Sequence, residues 1–265
     1  MRTCSWILLF CVTLATPAGA TPGAPRKSAR ALMDSIFRRA SWRDMRGKIR
    51  LVLQNKRGVR KLREIKMWSK KNEKDESRIL MRFIKPADVR GTGFLLIEHD
   101  DGDDDRRLFL PALRRVQRIS TSGSGGNFMS SDFTYYDIGR PKLRHWHYSE
   151  SGERVVGGVK CRLVTGKAVS KKVREDTGYS QIVWVVDEKR GVVVASDFFN
   201  KWDKKFKVLE VKKIEDLSGV PFATQMLMRD LTNGHRSEMS FIGLKTNIGI
   251  PDRTFTSRNL LRWTR

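Results

Sequence analysis

Apolar and charged residues alternate with period two along most of the chain. In "GKIRLVLQNKRG", Ile49, Leu51 and Leu53 fall on one side and Lys48, Arg50 and Gln54 on the other, with Val52 alone breaking the polar side. "VRKLREIKMWSK" and "SRILMRFIKP" continue the pattern across the turns "NKRG" and "NEKDE", the second placing Ile79, Met81 and Phe83 on one face. This is the signature of an antiparallel meander with one apolar and one solvated face. "FLLIEHD" and "RRLFLPAL" follow, and from "KLRHWHYSE" to "HRSEMSFIGLKTN" each further segment reads as a strand or a strand pair. Several end in turns such as Lys189-Arg190-Gly191 and Thr232-Asn233-Gly234.

Helical spacing is scarce. "ALMDSIFRRAS" spaces Leu32 and Ile36 with Met33 and Phe37 beside them, which predicts one amphipathic helix, and "SRNLLR" predicts one or two helical turns. No repeat of 20–50 residues recurs, so solenoids and propellers are set aside. About eleven short strands argue for a sandwich or a curled, barrel-like sheet in a single domain.

The N-terminus reads differently. Arg2, the apolar run "ILLFCVTLATPA" and the small residues Ala18 to Ala20 have the layout of a cleaved secretory signal peptide over residues 1–20, too short in its apolar part for a membrane span. Residues 21–265 are then the mature domain, exported to the periplasm. That domain keeps 52 Lys and Arg against 29 Asp and Glu, a formal +23, and retains Cys161 as its single cysteine, so no internal disulfide forms. Export makes anionic membrane surfaces or lipid head groups better counterparts for this charge than nucleic acid, alongside a plain well-solvated exterior.

Candidate chemistry is thin. The stretch "RISTSGSGGNFMSSDFTYYDI" (Arg118 to Ile138) has glycines but no G-x-x-x-x-G-K-[ST]. Phe128 stands where G-x-G-x-x-G needs its last glycine, and neither Ser122 nor Ser124 has the frame of a nucleophile elbow. Its Ser/Gly part reads as a flexible crossing, with Ser131 or Asp132 capping a short helix over "FTYYDI". His145 and His147 would share one face of a strand with Trp146 turned inward, but no third metal ligand accompanies them. "DDGDDD" (Asp100 to Asp105) lacks calcium-loop register and reads as a solvated hairpin tip. Cys161 reads as a small buried apolar residue. No catalytic constellation, metal site or cofactor site emerges.

Apolar supply on one sheet face stands out instead: Ile49, Leu51, Leu53, Ile79, Met81, Phe83, Phe222, Met226, Met228 and Phe241. With so few helices to cover it, either two sheets pack together or one sheet curls around a cavity for an apolar ligand.

"FIKPADVRGTGFLLIEH", "LFLPALRRVQRI", "GGNFMSSDFTYYDI" and "NIGIPDRTFTSRNL" occur in that order, and with them the chain from about Asp34 to Leu261 resembles the exported bacterial outer-membrane lipoprotein-sorting proteins. "KKVREDTGYSQIVWVV" and "KVLEVKKIEDLSGV" fit as well. Pro221-Phe222-Ala223-Thr224 departs from the family's Trp-Pro pair, and the positive charge is high for the family. The resemblance implies a Lol-type fold: a large antiparallel sheet curled into an incomplete, half-open β-barrel, its concave apolar face covered by short helices as lid or plug. It also implies a non-enzymatic periplasmic carrier or chaperone for the acyl chains of lipoproteins or other lipids, passing them toward the outer membrane. Implied partners are a membrane exporter of the resistance-nodulation-division (RND) type or an outer-membrane acceptor, with transient membrane contact. The alternative is an accessory scaffold of such an export complex that binds no lipid. The ten apolar positions above are then the expected cavity lining, and Phe128, Met129, Phe133 and Tyr135 the expected lid at its mouth.

Overall fold

The structure is a computed structural model that describes residues 27–39 and 42–261; the expected signal peptide lies outside the described residues. Thirteen strands form one antiparallel sheet. The first six, β1 (Asp44–Gln54), β2 (Arg60–Lys71), β3 (Ser77–Lys85), β4 (Gly93–Ile97), β5 (Asp105–Leu110) and β6 (Arg115–Ile119), run as one meander. A second meander follows as β7 (Trp146–Val156), β8 (Val159–Ala168), β9 (Gln181–Asp187), β10 (Val192–Phe199), β11 (Lys205–Leu217), β12 (Val220–Asp230) and β13 (Arg236–Thr246). The two meanders are stitched together where β1 pairs with β13, Leu51 facing Met239 and Ile49 facing Phe241. Among the described residues β6 and β7 are the two outer edges of the sheet, which is not closed into a barrel.

The sandwich is therefore set aside, and the expected eleven strands become thirteen. β6 escaped the sequence reading because "RVQRI" has no apolar face: as an edge it needs charge to discourage further pairing more than it needs core residues. The β7–β8 turn shows local chemistry setting topology. Gly157 and Gly158 both take positive φ (56° and 78°), which the two-residue hairpin demands and a β-branched residue resists.

Three short helices accompany the sheet. α1 (Ala29–Phe37) is capped by Ser28, whose hydroxyl accepts from the Ala31 amide at 3.3 Å, and it buries Leu32 and Met33 in the concave core. α2 (Lys171–Thr177) starts at Ser170 and stops at Gly178 in the left-handed region (φ 79°). α3 (Ser257–Leu261) packs Leu260, with Ile250 and Phe255 before it, on the convex side of Leu80, Leu95 and Phe109. That outer cluster explains why "FLLI" reads as a continuous apolar run: β4 is covered on both faces.

Candidate functional site

The concave face gathers the apolar supply. Ile49, Leu51 and Leu53 of β1, Met81 and Phe83 of β3, and Met228 of β12 are buried in one cluster, with Ile79, Phe222, Met226 and Phe241 half-buried against it. Trp146, expected to turn inward, joins them, and so do Ile65 and Met67 of β2, Phe94 and Leu96 of β4, Tyr179, Trp184 and Met239, which were not singled out from the sequence. Ile65 and Met67 alternate in "LREIKMW" and carried a readable signal. Phe94 and Leu96 were hidden in a run apolar at every position.

The segment between the two edge strands fills this concavity. Phe128 is fully buried and Phe133 nearly so, with Met129 and Tyr135 half-buried beside them, all in the same cluster. The Phe128 ring lies 5.3 Å from Phe94 and 5.5 Å from Tyr135, both edge-on. The segment thus sits deeper than a lid at the mouth: it is a plug. No helix covers "FTYYDI"; the Phe128 amide donates to the Phe133 carbonyl (2.7 Å) and an isolated bridge joins Asn127 to Thr134, so the residues fold back in a tight loop. Ser131 donates both its amide (2.9 Å) and its hydroxyl (2.7 Å) to the Phe128 carbonyl, closing the 3₁₀ turn Phe128–Ser130 and not starting a helix over the residues that follow.

The glycines before the plug serve close approach. A Cβ on Gly125 would stand 2.8 Å from the Gly178 amide nitrogen and 3.0 Å from the Thr177 carbonyl carbon, so the crossing lies backbone against backbone on the end of α2. Ser124 donates to the Asp176 carbonyl at 2.6 Å on the same seam.

Polar groups moor the plug at three places. The Asp132 carboxylate, buried, meets His235 Nδ1 at 2.7 Å and accepts from the Ser237 hydroxyl at 2.6 Å, while buried Lys207 donates to the Asp132 carbonyl at 2.8 Å. Ser, His and Asp occur here in the wrong order for nucleophilic chemistry: the hydroxyl is tied to the carboxylate, not to the imidazole. Second, Tyr179 and the Thr134 amide both donate to Asp137 at 2.7 Å, and burial pushes this carboxyl above its ordinary range against the pull of Lys207. Third, Arg63, facing inward from β2, donates to the Met129 carbonyl.

The acidic hairpin corrects its sequence reading. Asp104 is buried, held by Arg106 at 2.6 Å and Lys142 at 2.5 Å; Arg140 pairs with Asp100 at 2.7 Å and donates its amide to buried Glu98 at 2.6 Å. Burial drives the Glu98 carboxyl up. Arg38, which caps the C-terminus of α1, reaches Asp100 as well (3.1 Å). The tip is thus a clamp on the chain leaving the plug, beside a cleft of about 370 Å³ lined by charged groups of both signs.

The His pair is also redrawn. His145 closes a 3₁₀ turn (Leu143–His145) and stacks on Tyr136 at 6.0 Å, while exposed His147 lies on β7, so they do not share a strand face. Burial lowers the His145 pKa to about 4. Trp146 between them is buried and donates to the Tyr136 hydroxyl at 3.1 Å. No cluster of three or more metal-ligating side chains occurs among the described residues, and none of their helices is long and apolar enough to cross a membrane.

What the plug leaves is a half-buried apolar strip on the wall formed by β11, β12 and β13. Phe222 lies 5.8 Å from Trp42 and 5.3 Å from Phe241, with Met226 and Leu244 alongside.

Comparison with known proteins bears on this architecture. A family model described as "Uncharacterized protein" matches residues 75–262. No curated protein matches the chain. Among solved structures, a domain from Vibrio parahaemolyticus described as an outer membrane lipoprotein-sorting protein is 25% identical, with a TM-score of 0.82 over 88% of this chain and 98% of that one. A DUF1329 family protein from Desulfovibrio piger is 27% identical, with a TM-score of 0.81 over 88% and 97%. A LolA superfamily protein from Nitrosomonas europaea, 17% identical with a TM-score of 0.70 over 88% and 100%, shares the fold. With the family model covering most of its length, the chain belongs to this family, one of Lol-type lipoprotein-sorting proteins.

Proposed function

We propose that the protein is a periplasmic carrier or chaperone that holds the acyl chains of lipoproteins or other lipids against its concave face and passes them toward the outer membrane. The observation that carries this reading is the concave cluster itself. One open sheet places Leu51, Phe83, Met228 and their neighbours on a single apolar surface, covered by a strap of chain in place of a second sheet. A C16 chain removed from water contributes on the order of 10 kcal/mol before ordering costs, enough to displace Phe128, Met129, Phe133 and Tyr135 from the face they cover. Phe222, Met226 and Phe241, only half-buried, give the chain its first contact. Hand-off follows when a partner, an RND-type exporter or an outer-membrane acceptor, offers a tighter site. The reading includes export by the N-terminal signal peptide and needs neither catalysis nor a cofactor.

One observation favours a second reading. The concave face is filled by the chain's own side chains, as in an accessory scaffold of an RND-type export complex that binds protein and no lipid. Lipid extraction and mass spectrometry of the purified mature protein separate the two. The carrier yields a stoichiometric lipid, or takes one up from added lipid; a protein that stays empty under both conditions is the scaffold.

A further inference from the structure

The convex side of the same strands carries a second surface. On β1, Arg46, Lys48 and Arg50 point outward and are exposed. Across the ladder Lys48 faces Lys66 of β2, and Arg46 faces Lys245 of β13. Like charges set directly opposite one another destabilise a sheet, so a wall that keeps two such pairs side by side gives up stability for something else. Among the described residues none of these five cations pairs with a carboxylate. The acids of the wall are engaged otherwise: Asp44 accepts from the Ile248 and Gly249 amides (2.8 and 3.1 Å), Glu64, although opposite Arg50 in the ladder, pairs with Lys85 at 3.1 Å, and Glu238 accepts from the Gln225 side-chain amide at 2.7 Å.

The neighbouring part of the convex face supplies the contrast. There the C-terminal segment lies on β2 and β3, and the outward cations are all satisfied. Lys70 reaches the Ile250 carbonyl (2.9 Å) and Asp252 (3.1 Å), Arg78 reaches Asp252 (3.2 Å), and Arg82 donates to the Leu260 and Asn259 carbonyls (2.7 and 2.6 Å). Where the chain covers its own wall it gives each cation an acceptor, the Asp252 carboxylate or a backbone carbonyl; where it leaves the wall bare the charge stands free.

Two aliphatic side chains share the bare part: Ile242, opposite Lys48, is 50% exposed and Leu62 is 42% exposed. Cations around protruding aliphatic tips match the boundary between lipid head groups and acyl chains. A soluble acidic partner would be served by the cations alone, and a single-stranded nucleic acid by freely exposed aromatic rings, whereas Trp68, which faces Arg46 on this wall, is half-buried against the outer apolar cluster. We infer that the convex wall formed by Arg46, Lys48, Arg50, Lys66 and Lys245 docks the protein on a bilayer surface rich in anionic phospholipid. The inference is independent of what the concave face holds.

Co-sedimentation of the full mature chain with vesicles tests it. The protein should bind vesicles of phosphatidylcholine mixed with phosphatidylglycerol, bind pure phosphatidylcholine at least tenfold more weakly, and lose most binding between 0.1 and 0.5 M salt. The double variant K48E/K66E should weaken binding more than tenfold. K171E/K189E, with the same change of net charge on α2 and the β9–β10 turn, should stay within twofold of the parent. Thermal melting confirms that both variants fold; K48E alone replaces the double variant if it does not. Equal effects of the two double variants would reduce the surface to bulk charge and overturn the inference. So would failure to bind vesicles, with or without retention of the protein on DNA or polyglutamate.

Discussion

The Asp132 carboxylate and the His235 imidazole meet at 2.7 Å although 103 residues separate them, and this contact ties the plug to the entry of β13. Ser237 adds a second anchor on the same oxygen at 2.6 Å. Replacing Asp132 with Ala leaves buried donors without an acceptor and should cost about 3 kcal/mol. Asp132→Asn, which keeps an acceptor, should cost less. Hydrogen exchange should show the loss of protection concentrated in residues 124–139 and spare β1 and β13. Uniform loosening of the whole sheet would show that the plug has no stability separate from it.

Gly125 and Gly123 lie two residues apart in the Ser/Gly run but differ in surroundings. A Cβ at Gly125 meets fixed backbone of the α2 end, whereas at Gly123 it meets the Ser120 hydroxyl at 3.3 Å, a side chain able to turn away. Gly125→Ala should therefore destabilise by about 1–3 kcal/mol and Gly123→Ala by clearly less, as read by urea denaturation. Equal costs would mean that the crossing does not press on α2.

The period-two strands were legible because burial on one face writes itself into every second residue, as at Ile49, Leu51 and Leu53. The plug was legible only as a stretch without nucleotide chemistry. Phe128 and Phe133 are local in sequence, but their burial depends on β3 and β4, and no local pattern encodes a contact that distant. α2 left a mark in Ser170 and Gly178 that bracket "KKVREDT", yet its seven residues span too few turns for periodicity to show. Asp104 misled for a related reason. A run of aspartates reads as solvated unless Lys142 and Arg106 are known to converge on it, and Lys142 arrives from the far side of the plug.

That clamp gives the next expectation. Asp104→Asn leaves the buried Arg106 guanidinium and Lys142 short of a counter-charge and should cost about 3–5 kcal/mol. Asp101→Asn, exposed on the same hairpin, should stay within about 0.5 kcal/mol. Thermal unfolding of the pair decides whether the hairpin is a clamp or a solvated tip.

His145 sets an acid limb. Burial lowers its folded pKa to about 4 from an ordinary 6.5, so between these values the unfolded chain binds the proton more readily. Its contribution is complete above pH 6.5 and is lost as pH falls toward 4. Glu98 and Asp137, raised by burial, act with the opposite sign: the stability tied to their neutral forms declines as pH climbs above the ordinary carboxylate range. His145→Gln should flatten the fall between pH 6.5 and 4, by at most about 2 kcal/mol once solvent screening is discounted. An unchanged acid limb would assign it to other groups.

The carrier account requires that acyl chains and plug compete for one face. Hydrogen exchange of the mature protein titrated with a C16 fatty acid tests this most directly. The account predicts saturable uptake with loss of protection in residues 124–139, while β1, β3 and β13 keep theirs. No uptake, or uptake that leaves the protection of the plug unchanged, would contradict it.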